Sequence, residues 1–68
     1  MPAVDSSAIL RIDYDAARLK LFVTFASDRR YMYFDVPEEV YRAFLAAPSQ
    51  GQFFNSEIRD RFRFRDLR

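Results

Sequence analysis

The chain has 68 residues, a formal net charge of +1, 50% hydrophobic and 18% aromatic residues, and neither histidine nor cysteine. This length allows one domain at most. The missing residue types remove the commonest general base, metal ligands and nucleophile pairs, and the single glycine excludes glycine-rich phosphate loops. We therefore predict a single domain, ordered over about residues 7–65, that is not an enzyme and has no cofactor, no bound metal and no small-molecule substrate.

Three stretches in the first half of the chain alternate between apolar and other residues, which is the pattern of half-buried strands. They cover residues 8–14, 18–25 and 30–36. The connections at 15–18 and 26–29 have a usual hairpin length, so an antiparallel meander is expected. The side chains assigned to its core face are Leu10, Ile12, Tyr14, Leu19, Leu21, Val23, Phe25, Met32, Phe34 and Val36.

The same loop lengths predict which residues share the opposite, outer face of the sheet. They pair Ile12 with Leu21 and Leu21 with Phe34, so that every core pair is apolar. Side chains two apart on a strand project the same way, and Tyr31 and Tyr33 are therefore expected to form an exposed aromatic platform. The outer face would carry Arg11, Phe22, Tyr31 and Tyr33.

Helical signals begin where the third strand ends. Asp35 and Glu38 have the spacing of a capping box, which predicts a helix that runs to about Ala47. Ser49 and Gln52 repeat that spacing and predict a second, short helix directly after the first. The fold class is therefore α+β, with helices on one side of a small antiparallel sheet.

The C-terminal residues are rich in arginine. Five arginines stand against two aspartates over residues 59–68, and residues 61–65 alternate strictly between arginine and phenylalanine. This alternation predicts a fourth strand at the edge of the sheet, although the sequence leaves open a loose tail. The predicted architecture is a three-stranded β-meander, two short helices and a C-terminal edge strand.

The chain is expected to be cytoplasmic and to avoid membranes. No apolar run approaches the ~18 residues of a membrane span. The first five residues lack the basic and apolar regions of a secretory signal, and a chain without cysteine fits a reducing compartment.

An ordered set of residues between positions 31 and 58, with Tyr-x-Tyr at its start, has the spacing of a known family. Its members are Tyr31, Tyr33, Phe34, Val36, Pro37, Val40, Tyr41, Leu45, Ser49, Gly51, Phe53, Phe54, Asn55 and Ile58. With these residues the chain resembles the KTSC family over residues 7–65. KTSC domains are small bacterial domains that also occur at the C-terminus of some lysyl-tRNA synthetases, and the RNA binding that the resemblance implies rests on that association.

The first hypothesis is a domain that binds RNA, with tRNA among the candidates. Arginines would neutralise phosphates and aromatic rings would stack on bases. The competing interpretation is structural: the tyrosines would complete a small core, and the charged tail would protect a sheet edge. The residues assigned to RNA binding are Arg11, Phe22, Tyr31, Tyr33, Arg59, Arg61, Arg63 and Arg65.

The second hypothesis is a protein-interaction or self-association module. A half-open aromatic sheet face would be a suitable start for such an interface. The sequence does not distinguish a host protein from a second copy of the chain.

Overall fold

The computed structural model describes residues 9–67 of the chain. The predicted start of the first strand at Ala8 and the ordered position expected at residue 7 lie outside the described residues. The four strands form one antiparallel sheet in the order β1-β2-β3-β4, and the helices come between β3 and β4. The elements are β1 (Ile9–Asp15), β2 (Lys20–Phe25), β3 (Arg30–Tyr33), α1 (Glu38–Ala46), α2 (Gln50–Phe53), a π-helical segment (Phe54–Ile58) that continues α2, and β4 (Phe64–Asp66).

This arrangement confirms the α+β class, the meander followed by two short helices, and the C-terminal edge strand. In the described part of the chain, no helix has both the length and the apolar character that a membrane crossing requires.

The two predicted helix caps have different outcomes. The hydroxyl of Ser49 accepts a hydrogen bond from the backbone N–H of Gln52 at 3.2 Å, as the capping-box spacing predicts. The cap expected at Asp35 is absent: α1 is capped by Pro37 with no side-chain hydrogen bond. Asp35 instead has a φ of 56°, which places it in the left-handed region as a turn residue.

The β2–β3 hairpin is one residue tighter than predicted. The backbone N–H of Phe25 donates to the carbonyl of Arg29 at 2.8 Å, and that of Asp28 donates to the carbonyl of Phe25 at 2.9 Å. Asp28 has a φ of 70°. These features define a three-residue loop in which a turn is followed by one left-handed residue. Leu21 consequently pairs with Tyr33.

This one-residue difference reverses the two faces of β3, because successive side chains in a strand point to opposite sides. The prediction that Tyr31 and Tyr33 lie on the outer face is wrong: Tyr33 is buried and Tyr31 packs against the core. Met32 and Phe34, which were assigned to the core, stand on the outer face instead. Val36 is buried as predicted, because the left-handed turn at Asp35 follows the end of β3 and resets the alternation.

The observed pairing of β1 with β2 is shifted by two residues from the predicted pairing. A shift of two leaves each side chain on the predicted face of the sheet, because side chains alternate with a period of two. Ile12 pairs with Val23 and not with Leu21. The carboxylate of Asp15 accepts hydrogen bonds from two backbone N–H groups of the turn, at 3.1 and 3.2 Å, and Leu19 closes the turn with a φ of 55°. Leu19 is therefore a turn residue, 41% exposed, and not the core residue that was predicted.

A β-bulge at the start of β1 moves another predicted core residue outward. The pairing shifts by one residue between Ile9 and Arg11, so that Leu10 has no direct partner on β2. Leu10 is 68% exposed, whereas Ile9 packs against the core.

The core lies between the inner face of the sheet and the helices. Phe44 of α1 is fully buried, and its ring is stacked on that of Phe53, with ring centroids 5.5 Å apart. On its flank Tyr14 and Tyr41 stack at 4.6 Å, and the Tyr14 hydroxyl donates to the carbonyl of Val36 at 2.6 Å. The buried side chains are Leu21, Val23, Phe25, Tyr33, Val36, Phe44, Phe54 and Ile58.

Candidate nucleic-acid interface

The residues assigned to RNA binding are divided between two surfaces and a turn. Arg11 and Phe22 lie on the side of the sheet away from the helices, which we call the outer face. Its side chains follow from the strand registers and from the contacts of Phe34. The outer face consists of Arg11, Asp13, Asp15, Lys20, Phe22, Thr24, Arg30, Met32, Phe34, Arg63 and Arg65.

Two cations stand over one aromatic ring on the outer face. The Lys20 ammonium lies 5.6 Å from the centroid of the Phe34 ring, and the Arg63 guanidinium lies 5.5 Å from it. The backbone N–H of Phe34 also donates to the carbonyl of Arg63 at 2.9 Å. Cations within about 6 Å of a ring face are attracted by its quadrupole. Phe34 thus holds both positive charges at one end of the sheet.

The outer face carries an excess of positive charge that the described residues do not neutralise. Arg11 forms an ion pair with Asp13 at 2.8 Å, and the carboxylate of Asp15, opposite Lys20 in the sheet, binds Arg18. Within residues 9–67, four cations of this face are in no ion pair. They are Lys20, Arg30, Arg63 and Arg65.

On the helix side of the sheet lies an open pocket of about 620 Å³, lined by residues of the β2–β3 hairpin, of β4, and of the π-helical segment with the turn that follows it. We call it the aromatic pocket. Its rings are those of Phe25, Tyr31, Tyr33, Phe54 and Phe64, and its polar side chains are Ser27, Arg29, Asn55, Arg59 and Asp60.

Most ring pairs of the aromatic pocket meet edge to face, whereas the Tyr31–Tyr33 and Tyr33–Phe64 pairs are tilted, at 52° and 36°. Phe64 meets Tyr31 at 5.6 Å and 78°, and Phe54 meets Tyr33 at 5.7 Å and 80°. Phe64, on the edge strand, is 54% exposed and forms an open wall. Such contacts hold the rings in place and leave ring surface facing the pocket.

Polar side chains line the rim. The Arg59 guanidinium donates to the side-chain oxygen of Asn55 at 3.4 Å, and that of Arg29 donates to the Tyr31 hydroxyl at 3.2 Å. Arg29 also forms an ion pair with Asp66 at 3.4 Å. The backbone N–H of Arg59 donates to the carbonyl of Phe54, five residues earlier, which is the hydrogen bond of a π-helix. Single π-helical turns of this kind are frequent at functional sites.

The Tyr33 hydroxyl faces the aromatic pocket. Among the described residues, this hydroxyl has no hydrogen-bond partner. Every buried side-chain oxygen or nitrogen in the same part of the chain does have a partner, so the Tyr33 hydroxyl oxygen is not one of the buried atoms. The hydroxyl must therefore reach solvent, and the pocket lined by this ring is where it does so. The pKa of Tyr33 is raised to about 12, mainly by burial, and the smaller effects of its neighbours are included in this value: Tyr31 and Asp60 raise the pKa, and Arg59 lowers it. Tyr33 consequently stays protonated and can donate a hydrogen bond at neutral pH.

This raised pKa predicts a loss of stability at alkaline pH. A tyrosine in the unfolded chain loses its proton near pH 10, whereas folded Tyr33 keeps it to about pH 12. Its contribution is complete below pH 10 and disappears as the pH rises from 10 to 12. Urea unfolding measures the drop in unfolding free energy between pH 8 and pH 11. This drop should be smaller in Tyr33→Phe than in the unchanged protein, and equal drops would contradict the raised pKa of Tyr33.

The structure thus brings together Tyr31, Tyr33 and Arg59 in the aromatic pocket, and places Arg11, Phe22, Arg63 and Arg65 on the outer face. Arg61 lies in the exposed turn after the π-helical segment, in neither surface. Within residues 9–67, no group of three or more carboxylates converges to hold a metal ion.

Sequence reasoning missed several residues of both surfaces. On the outer face, the strand alternation already placed Lys20 opposite the core, but Phe34 required the correct register. In the pocket, the alternation of residues 61–65 was a usable signal for Phe64. No sequence signal brought Arg29 and Asn55 together, because they come from a hairpin and a helix that meet in the folded domain.

The profile of the KTSC domain matches residues 5–62. A protein from Tsukamurella paurometabola is 43% identical over 63 residues, which are 93% of this chain and 94% of that protein. The crystal structure of a KTSC domain protein from Yersinia pestis superimposes with a TM-score of 0.88 at 36% identity, covering 93% of this chain and 89% of that one. The chain therefore belongs to the KTSC domain family, as the resemblance in its sequence indicated.

A similar segment also occurs within a much longer relative. A lysine–tRNA ligase from Nostoc punctiforme is 36% identical over 63 residues, covering 93% of this chain and 11% of the ligase. The match thus concerns a small part of that enzyme.

Proposed function

We propose that this KTSC domain is a non-catalytic, cytoplasmic RNA-binding module whose outer face lies against the phosphate backbone. The observation that carries the proposal is the group of four unpaired cations on an open sheet face, Lys20, Arg30, Arg63 and Arg65. A polyanion that binds such a group releases its own counterions, which provides most of the affinity of sequence-independent binding.

Two further observations favour RNA over other polyanions. The cations surround Phe22, Met32 and Phe34, which are half-buried and leave apolar surface beside the charges. Sheet faces of this composition suit single-stranded RNA, whose bases can splay out onto side chains. The similarity to part of a lysine–tRNA ligase supports the same partner, and tRNA is the first RNA to test.

The proposal predicts a specific salt dependence. If four cations engage single-stranded phosphates, log K should fall with log salt at a slope of about −3. Affinity for a labelled RNA of 12 nucleotides should then fall about 50-fold between 50 and 200 mM salt. Fluorescence anisotropy measures this directly, with an unmodified tRNA as competitor. Absence of binding at 50 mM salt, or an affinity that ignores salt, would overturn the proposal.

A pair of variants locates the contact. Arg63→Ala combined with Arg65→Ala removes half of the four charges, and the slope should fall to about −1.4. Arg42→Ala is the control, because Arg42 lies on α1, across the sheet from the outer face, in an ion pair with Glu38 at 2.8 Å. If both variants reduce the slope equally, the outer face is not the contact surface.

Self-association through the same face is the competing function. It predicts that sedimentation detects an oligomer and that substitutions at Phe22, Met32 and Phe34 prevent its formation. Added RNA should leave this oligomer intact, because in this case the outer face does not bind RNA. A monomer at all concentrations would count against it.

A further inference from the structure

We infer that the aromatic pocket holds one unstacked base of the bound RNA. This inference rests on the proposed function, because the RNA strand delivers the base. The pocket and the outer face are different surfaces, so each can be removed without the other.

The size and the walls of the aromatic pocket suit a flat ring. Its volume of about 620 Å³ is within the ~300–1,000 Å³ of pockets that enclose small molecules. The open wall is Phe64, which contacts the rings of Tyr31 and Tyr33 at centroid distances of 5.6 Å and still leaves about half of its side chain exposed. A planar heterocycle can stack on such a ring whatever its substituents, because every base has a π-face.

The polar groups at the rim of the pocket favour a base over a purely apolar or a purely anionic ligand. The Tyr33 hydroxyl has no partner among the described residues, and the side-chain oxygen of Asn55 is engaged by Arg59, which leaves the Asn55 amino group for a ligand. Asp60 adds an acceptor. An apolar ligand would leave these groups unpaired, and an anion would meet the carboxylate, whereas the edge of a base offers both donors and acceptors.

The edge strand connects the pocket to the outer face. In β4 the side chain of Phe64 points to the pocket, and Arg65, the next residue, points to the outer face opposite Met32. Because β4 is the outermost strand of the sheet formed by residues 9–67, an RNA strand can cross this edge. Phosphates would then contact Arg63 and Arg65, and the adjacent base could turn into the pocket.

The test uses the full chain and a 12-nucleotide RNA that carries one 2-aminopurine, whose fluorescence is quenched by stacking. We expect quenching on binding, and a loss of affinity of about 5- to 150-fold in Phe64→Ala, the range that one base–aromatic stack provides. The salt slope of Phe64→Ala should stay near −3, because its cations are intact. Leu45→Ala is the control, because Leu45 is a similarly exposed apolar residue on α1, outside the pocket.

The outcomes separate the two proposals. RNA that binds with the expected salt slope, but without quenching and without an effect of Phe64→Ala, overturns the pocket and leaves the outer face standing. RNA that fails to bind overturns both. If Phe64→Ala does not fold, Asn55→Ala replaces it, and unchanged affinity and quenching in that variant also overturn the inference.

Discussion

Replacement of Phe44 by alanine is expected to leave most of the protein unfolded at room temperature. The Phe44 side chain is fully buried, and it stacks on Phe53 and Phe54 at 5.5 and 6.4 Å. Its removal should cost about 3–5 kcal/mol, through lost burial and the cavity left behind. A core of this size rarely provides more than about 3–5 kcal/mol of net stability, so the loss is comparable to the whole.

The neighbouring residue on the same helix supplies the control for this prediction. Leu45 is about half exposed, and Leu45→Ala should cost about 0.5 kcal/mol or less, as surface substitutions usually do. Far-UV circular dichroism at 25 °C, followed by urea titration in an osmolyte that restores folding, measures both variants. Equal destabilisation by the two substitutions would show that α1 does not pack through Phe44.

Tyr33→Ala is expected to destabilise the protein far more than Met32→Ala. Tyr33 is 3% exposed and contacts Phe54 and Phe64, and alanine in its place should cost about 3–5 kcal/mol. Met32 stands on the outer face opposite Phe22 and Arg65, half-buried, and its loss should cost about 1 kcal/mol.

This pair of variants tests the β2–β3 register directly. A hairpin with a loop one residue longer would place Met32 in the core and Tyr33 outside, and the order of the two effects would reverse. Urea midpoints in the same buffer decide between the registers. Met32→Ala as the more damaging substitution would contradict the three-residue loop closed at Asp28.

The two surfaces were predictable to different extents. Arg11 and Phe22 were correctly assigned to the outer face, because a two-residue error in the β1–β2 pairing preserves the alternation. Tyr31 and Tyr33 were assigned to the wrong side, because a one-residue error reverses it. The sequence therefore predicted Tyr31 and Tyr33 beside Arg11 on the outer face. It did not predict the aromatic pocket that these two tyrosines line.

Patterns local to the chain were sufficient for the elements and their order. Period-two alternation located three strands and the edge strand, and the capping pair of Ser49 and Gln52 located the start of α2. These signals depend on neighbours in sequence, and so the α+β class followed from the sequence. The KTSC family also followed from residues and spacing alone.

The tertiary structure alone decided which face of β3 is buried. Both registers of the β2–β3 hairpin place apolar residues inside, since Tyr31 and Tyr33 fill the core as well as Met32 and Phe34 would. What selects between them is the left-handed conformation of Asp28, which tightens the loop, and the helices that cover the tyrosine side. Alternation cannot distinguish two apolar faces, and that choice determines which rings a partner can reach.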